Sequence, residues 1–178
     1  MRTSSTQKLT LCALFCALLC VCSQIQIPLP PVPLSLSLLA VHLCGALLGS
    51  RSGAASVAAY VLLGAAGVPV FAGFSGGFSV LIGPTGGYLF GYILCAWLVG
   101  RLTARFGFSR CSLILSMAAG TFLCYVPGTA WFMLVTGSSF AASLSSCVLP
   151  FLPGDLLKVL FAAFLSRRLQ KPLHAMGL

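Results

Sequence analysis

Apolar runs of membrane-spanning length dominate this chain and constrain its fold more than any other feature. Only eleven side chains carry a charge, ten Lys or Arg and one acid, and 59% of the 178 residues are hydrophobic. A soluble domain carries about 25% charged residues, against 6% here. A disordered chain needs low hydrophobicity, whereas the mean hydropathy here is +1.08. With roughly 20 residues per span and short loops, a chain of this length holds about six helices and no soluble domain. The expectation is an all-α integral membrane protein, with residues 1–178 forming one transmembrane domain.

The expected spans cover about 9–27, 34–50, 53–70, 84–100, 112–135 and 151–165. The first follows Arg2 and Lys8 as a signal peptide would. It is long, however, and no A-x-A-like cleavage site follows, so it is expected to be retained. The connection Pro28-Leu29-Pro30-Pro31-Val32-Pro33 cannot continue a helix and should be extended. A glycine-rich, charge-free connection covers 71–83, and a serine-rich one covers 137–150. The fifth span is open to a kink at Pro127-Gly128.

Six spans place both termini on one side. Arg2, Lys8, Arg51, Arg101, Arg105, Arg110, Arg167, Arg168 and Lys171 all fall on that side, and the three opposite connections contain no Lys or Arg. Cytoplasmic loops carry such an excess, so both termini are expected in the cytoplasm and the protein in the cell membrane. The same asymmetry accounts for the net charge of +9, and no nucleic-acid partner is needed.

Composition also limits the chemistry. One carboxylate cannot form a paired-acid mechanism or a carboxylate-rich metal site. No G-x-x-x-x-G-K-[S/T] loop is present, so ATP hydrolysis by this chain is not expected. The expectation is no catalytic residue, no metal and no cofactor. The nine cysteines include no C-x-x-C pair; Cys12, Cys16 and Cys20 recur at helical spacing and read as small buried hydrophobes. His42 stands alone in an apolar span and reads as a core histidine bonded to backbone or a hydroxyl.

Two charges lie outside the basic set. Asp155 and Lys158, in Pro153-Gly154-Asp155-Leu156-Leu157-Lys158, stand three apart near the start of the sixth span, on one helical face. Ionisable residues within a membrane are costly and usually functional. The pair reads either as a polar clamp for a solute or as a mutually satisfied packing pair. Ala13-x-x-x-Ala17 is a small-xxx-small pattern that permits close helix approach. Tyr60, Tyr88, Tyr92, Trp97, Tyr125 and Trp131 suit interfacial belts. Phe71, Phe74, Phe78 and Tyr88 suit the wall of an apolar pocket equally well.

Four ordered motifs carry a resemblance. Pro31-Val32-Pro33, Gly64-x-x-Gly67-x-Pro69-Val70-Phe71-Ala72, Gly83-Pro84-Thr85-Gly86-Gly87-Tyr88 and Pro153-Gly154-Asp155-x-x-Lys158 together resemble the biotin-transporter family. These proteins are the substrate-binding S components of energy-coupling factor transporters. The resemblance spans about 9–168. It implies six membrane helices, biotin bound from the outer side, a transmembrane coupling subunit and two ATP-binding subunits. It places Asp155 and Lys158 at the polar ligand contacts and Ala13 and Ala17 on the face that docks the coupling subunit. It places the connection holding Phe74, Ser75, Ser79 and Gly83, followed by Tyr88, along the site. This chain has no Asn, where the family often offers one near that connection, so Ser75 or Ser79 is the implied substitute. Ser35 and Ser37 stand where the family often has Thr and Gln.

Biotin's ureido group offers one carbonyl and two N–H groups, which Lys158 and Asp155 complement; Lys158 also suits the ligand carboxylate. The same scaffold tuned to lipoate or dethiobiotin is the alternative. A membrane enzyme and a purely structural subunit are the readings from other classes.

Overall fold

A computed structural model describes residues 5–27 and 33–175. Arg2 and most of the proline-rich connection, residues 28–32, lie outside the described residues. Helix α1 spans Ser5–Gln24, α2 Ser37–Ala65, α3 Phe78–Ile82, α4 Gly86–Phe106, α5 Arg110–Thr136, α6 Phe140–Cys147 and α7 Leu152–Ala175. Strands β1 (Gln26–Ile27) and β2 (Leu34–Ser35) pair antiparallel, with Gln26 opposite Ser35.

Helix α2 is two arms. Gly49 sits at φ 81°, a conformation L residues resist, and interrupts the helical backbone. An unbroken helix would separate residues 45 and 53 by about 12 Å at 1.5 Å per residue. Here a Cβ on Gly53 would lie 3.0 Å from the Gly45 Cα and 2.5 Å from the Cys44 carbonyl oxygen. The chain therefore folds back at Gly49. The 37–48 arm and the 50–65 arm form a hairpin whose backbones touch because both contact residues are glycines.

Close approaches fix the directions of the remaining helices. A Cβ on Gly45 would meet the Ala96 carbonyl at 2.5 Å, and one on Gly100 would meet Ser50 N at 2.4 Å, so the 37–48 arm runs parallel to α4. Gly87 faces Pro127 and Trp131, Gly91 faces Cys124 and Gly120 faces Val99, so α4 and α5 are antiparallel. In the first half of α1 the Cys12 thiol reaches the Ser52 carbonyl (3.6 Å), and near its C-terminal end the Ser23 hydroxyl reaches the Val70 carbonyl, which makes α1 parallel to the 50–65 arm. Alanine and glycine at these crossings let backbones approach where lipid supplies no hydrophobic drive.

Helices α1, α2, α4 and α5 are long and apolar enough to cross a membrane, and α6 with α7, bent by 51°, counts as a fifth. Helix α7 falls short alone because Asp155, Lys158 and the basic residues 167, 168 and 171 dilute its apolar run. Several expected boundaries move. The first span ends at Gln24 because Gln26 and Ile27 enter the strand pair. The serine-rich connection contains α6, started by the Ser139 hydroxyl accepting from Ala142 N. The glycine-rich connection contains α3 and a short 3-10 turn, Ala72–Phe74. Helix α5 continues through Pro127, and α7 runs ten residues past the expected end at 165, to Ala175.

The core follows the expected residue types. Six cysteines are buried among Leu, Val and Ala. His42 is fully buried, with Nε2 3.1 Å from the Thr121 hydroxyl and Nδ1 3.7 Å from the Cys95 sulfur. This is a histidine satisfied by a hydroxyl, as its isolation in the sequence suggested.

Candidate functional site

A cavity of about 210 Å³ lies at the end of the bundle opposite the basic residues. Its walls come mainly from β2 with the 37–48 arm, the Phe71–Ser75 turn, the start of α4, the middle of α5 and the start of α7, with Tyr60 of the 50–65 arm, Val80 of α3 and Cys147 of α6 completing the lining. Local contacts hold these segments in place. Gly64 lets the Phe71 ring lie on the 50–65 arm, since a Cβ at Gly64 would sit 2.1 Å from that ring. Phe71 then stacks edge-on against Tyr60 at 5.4 Å. Gln24 anchors the turn from α1: its Nε2 donates to the Val70 and Phe71 carbonyls (3.1 Å each), and its Oε1 accepts from Phe74 N (2.9 Å). The motif Gly64-x-x-Gly67-x-Pro69-Val70-Phe71 thus builds one wall.

The Gly83–Tyr88 motif builds another. Gly87 admits Trp131 and Pro127 of α5, and the Trp131 Nε1 donates to the Gly83 carbonyl (3.0 Å). Gly128 leaves room for the Tyr88 ring, whose hydroxyl lies 3.5 Å from the Thr129 hydroxyl and 3.4 Å from the Cys147 carbonyl. Tyr88 therefore presents an apolar face to the cavity while its polar end is engaged elsewhere.

The polar centre is on α7. Asp155 and Lys158 are buried to 5% and 7% exposure and form an ion pair of 2.7 Å through Oδ1. The Tyr125 hydroxyl donates to the other carboxylate oxygen, Oδ2. Among the described residues this is the only ion pair. The pair retains capacity: a carboxylate has about four acceptor sites and an ammonium three donors, of which Tyr125 and the pair itself use only some. The site is therefore neutral overall, yet it offers an acceptor and a donor side by side. Ser35 and Ser37, joined hydroxyl to hydroxyl at 2.9 Å, add a second polar edge. The rest of the lining is mainly apolar or aromatic, including Leu38, Tyr92, Val80 and Phe151.

The structure brings Asp155, Lys158, Tyr88 and Ser75 together around this cavity. The Ser75 hydroxyl already donates to the Ala72 carbonyl (2.8 Å). Phe74, Ser79 and Gly83 lie outside the lining: Phe74 is 73% exposed, Ser79 is exposed, and Gly83 serves Trp131. Phe78 is exposed as well. Tyr60, Tyr92 and Tyr125, assigned above to interfacial belts, line the cavity instead. Sequence periodicity gave no sign of this, because a tyrosine at a span end fits either place. Ala13 and Ala17 are exposed on the outer face of α1, beside exposed Leu14 and Val21.

Comparison with known proteins bears on this site. The BioY family profile matches residues 1–175. A biotin transporter of Thermotoga maritima is 42% identical over 158 residues, covering 89% of this chain and 92% of that protein. A probable biotin transporter of Pyrococcus horikoshii is 37% identical over 164 residues, with 92% and 96% covered. The crystal structure of an S-component for biotin from an ECF-type ABC transporter superposes with a TM-score of 0.87 at 28% identity, covering 96% of this chain and 94% of that one. A match over almost the full length places the chain in the BioY family.

Proposed function

We propose that this chain is the biotin-binding membrane component of an ECF-type transporter, not an enzyme. The observation that carries the reading is the buried Tyr125–Asp155–Lys158 cluster in the wall of an otherwise apolar cavity. A ureido group fits that cluster: Lys158 donates to its carbonyl, and Asp155 accepts from an N–H. A carboxylate at Lys158 would also meet the Asp155 carboxylate, so the neutral end of biotin is the better partner. The aromatic and aliphatic walls suit the thiolane ring and valerate chain.

Calorimetric titration of the purified protein with biotin tests this, with dethiobiotin and lipoate as competitors. Biotin should bind, and the competitors should displace it poorly. Biotin methyl ester should bind nearly as well as biotin at this cluster. An ester that binds far worse would reverse the pose, and absent biotin binding would refute the function.

The topology proposed is six crossings with both termini cytoplasmic. The fold-back at Gly49 supports it, since it supplies two antiparallel arms where the helix count gives one. The distribution of basic residues supports the orientation. The cavity then opens outward. In a background cleared of reactive cysteines, a cysteine at Gly107 should react with an impermeant reagent only from the cytoplasm, and one at Ser139 only from outside. The opposite pattern would invert the protein and its site.

The exposed Ala13–Ala17 face is the proposed seat of a transmembrane coupling subunit, with ATP hydrolysis in further partner subunits. Replacing both alanines with Leu should abolish capture of the coupling subunit and leave biotin affinity unchanged. Intact capture would remove this face from the interface.

A further inference from the structure

Two grooves lie end to end along the seam between α5 and α7; the first is away from the biotin cavity, and the second meets it at Tyr125 and Asp155. The first, about 780 Å³, has apolar walls that include Ile114, Leu160 and Phe164, and a rim of Arg110, Arg167, Arg168 and Lys171. The second, about 760 Å³, begins at the same Ile114, passes Ala118, Phe122 and Val159, reaches Tyr125 and Asp155, and continues to Met133 and Phe140.

The rim cations have no acidic side chain to pair with. The chain's single acid, Asp155, is bound to Lys158. Arg168 lies 5.4 Å over the Phe164 ring, a cation–π contact that leaves its charge unpaired by any acid. The lining on α5 runs from Ile114 to Met133, nineteen residues or about 28 Å along a helix at 1.5 Å per residue. A hydrocarbon core is about 30 Å thick, so the seam is long enough to take an acyl chain from the basic rim through its own leaflet.

We propose that the α5–α7 seam binds an anionic phospholipid, its phosphate held by Arg110, Arg167 and their basic neighbours and one acyl chain laid along the apolar groove toward Tyr125. Charge and shape together select this occupant. A zwitterionic lipid would fill the groove and leave the rim poorly neutralised. An acidic segment outside the membrane would neutralise the rim and leave the apolar channel unfilled. Basic pockets between membrane helices are known to hold anionic head groups.

The test uses the full chain in detergent, with native mass spectrometry following dioleoyl phosphatidylglycerol and dioleoyl phosphatidylcholine. Phosphatidylglycerol should be retained at least about tenfold more tightly. Each cation near a membrane surface contributes about fivefold, so Arg110→Gln with Arg167→Gln should weaken phosphatidylglycerol by roughly twenty-five-fold and leave phosphatidylcholine unchanged. Ala118→Trp, which fills the seam, should weaken both lipids. Glycerol phosphate, which lacks the chain, should not displace phosphatidylglycerol at matched concentration. Biotin affinity in lipid-free detergent serves as the folding control for each variant. Equal retention of the two lipids would overturn the proposal, as would undiminished phosphatidylglycerol binding by the double variant. Displacement by glycerol phosphate would reassign the rim to free phosphate. Loss of coupling-subunit capture with lipid binding intact would reassign it to a protein partner.

Discussion

Asp155→Asn or Lys158→Met should weaken biotin binding by roughly tenfold to a hundredfold or more, the range set by charge-assisted hydrogen bonds of about 1.5–3 kcal/mol. The same substitutions should lower stability. Both groups are buried and joined at 2.7 Å, and removing one partner of a buried pair leaves an uncompensated charge, at a cost of about 3–5 kcal/mol. The double variant separates the two effects. With neither charge present, no uncompensated ion remains, so thermal stability in detergent should recover above that of either single variant. Biotin affinity should stay low, because the donor and the acceptor are both gone. A folded double variant with undiminished affinity would make the pair a packing device and move the site elsewhere. Tyr125→Phe refines the picture. It leaves Asp155 Oδ2 without its hydroxyl donor, so affinity should fall less than in Asp155→Asn while the ion pair persists.

Gly45→Ala and Gly87→Ala should each destabilise the bundle by about 1–3 kcal/mol, the usual cost of overpacking a dense interior. A single methyl suffices, because the atoms it meets are close to fixed backbone. At Gly45 the new carbon would stand 2.5 Å from the Ala96 carbonyl oxygen, and at Gly87 it would stand 2.6 Å from the Pro127 carbonyl oxygen and 2.3 Å from the Trp131 Cβ. Gly87→Ala should in addition weaken biotin, since α4 would have to withdraw and take neighbouring Tyr88 with it. Thermal unfolding followed by size-exclusion fluorescence reads the loss. Ala13→Leu, on an exposed face, serves as a control and should leave the midpoint in place. Unchanged midpoints for both glycine variants would mean that the α2–α4 and α4–α5 crossings are looser than described.

The motifs that carried the family resemblance have distinct physical jobs, and this explains why they were legible without a structure. Gly64 and Gly87 are close-approach positions where a side chain has no room. Gly67 turns the chain at φ 100° after α2, and Pro69 follows. Asp155 and Lys158 stand out because a charge inside a membrane is too costly to keep without a partner or a ligand. Spacing alone placed these two on one face, and the ion pair bears that out.

Other features needed the tertiary structure. Tyr60 lies on the 50–65 arm, Tyr92 on α4 and Tyr125 on α5, and only the packing of those helices turns all three toward one cavity. Phe74 and Ser79 looked equivalent to Phe71 and Ser75 in a glycine-rich stretch. They differ because Gln24 and Gly64 fix the turn so that Phe71 and Ser75 face inward. The Gln24 contacts have no local sequence signal, since the partners are about fifty residues apart.

The sequence by itself determined the environment and the helical class of this protein. Both follow from quantities summed over long windows, namely apolar content and scarcity of charge, and a lipid solvent leaves the backbone few alternatives to helix. It also determined where the costly charges are, because two buried ions cannot be mistaken for lipid-facing residues. It also separated the second and third spans near residues 50–53, where α2 reverses at Gly49. Only the tertiary structure decided that α6 lies in a stretch read as a connection and which aromatics face the cavity. The cavity lining depends on contacts between segments distant in sequence. Their energies come from individual backbone approaches and hydrogen bonds, and no local pattern of apolar and polar residues encodes them.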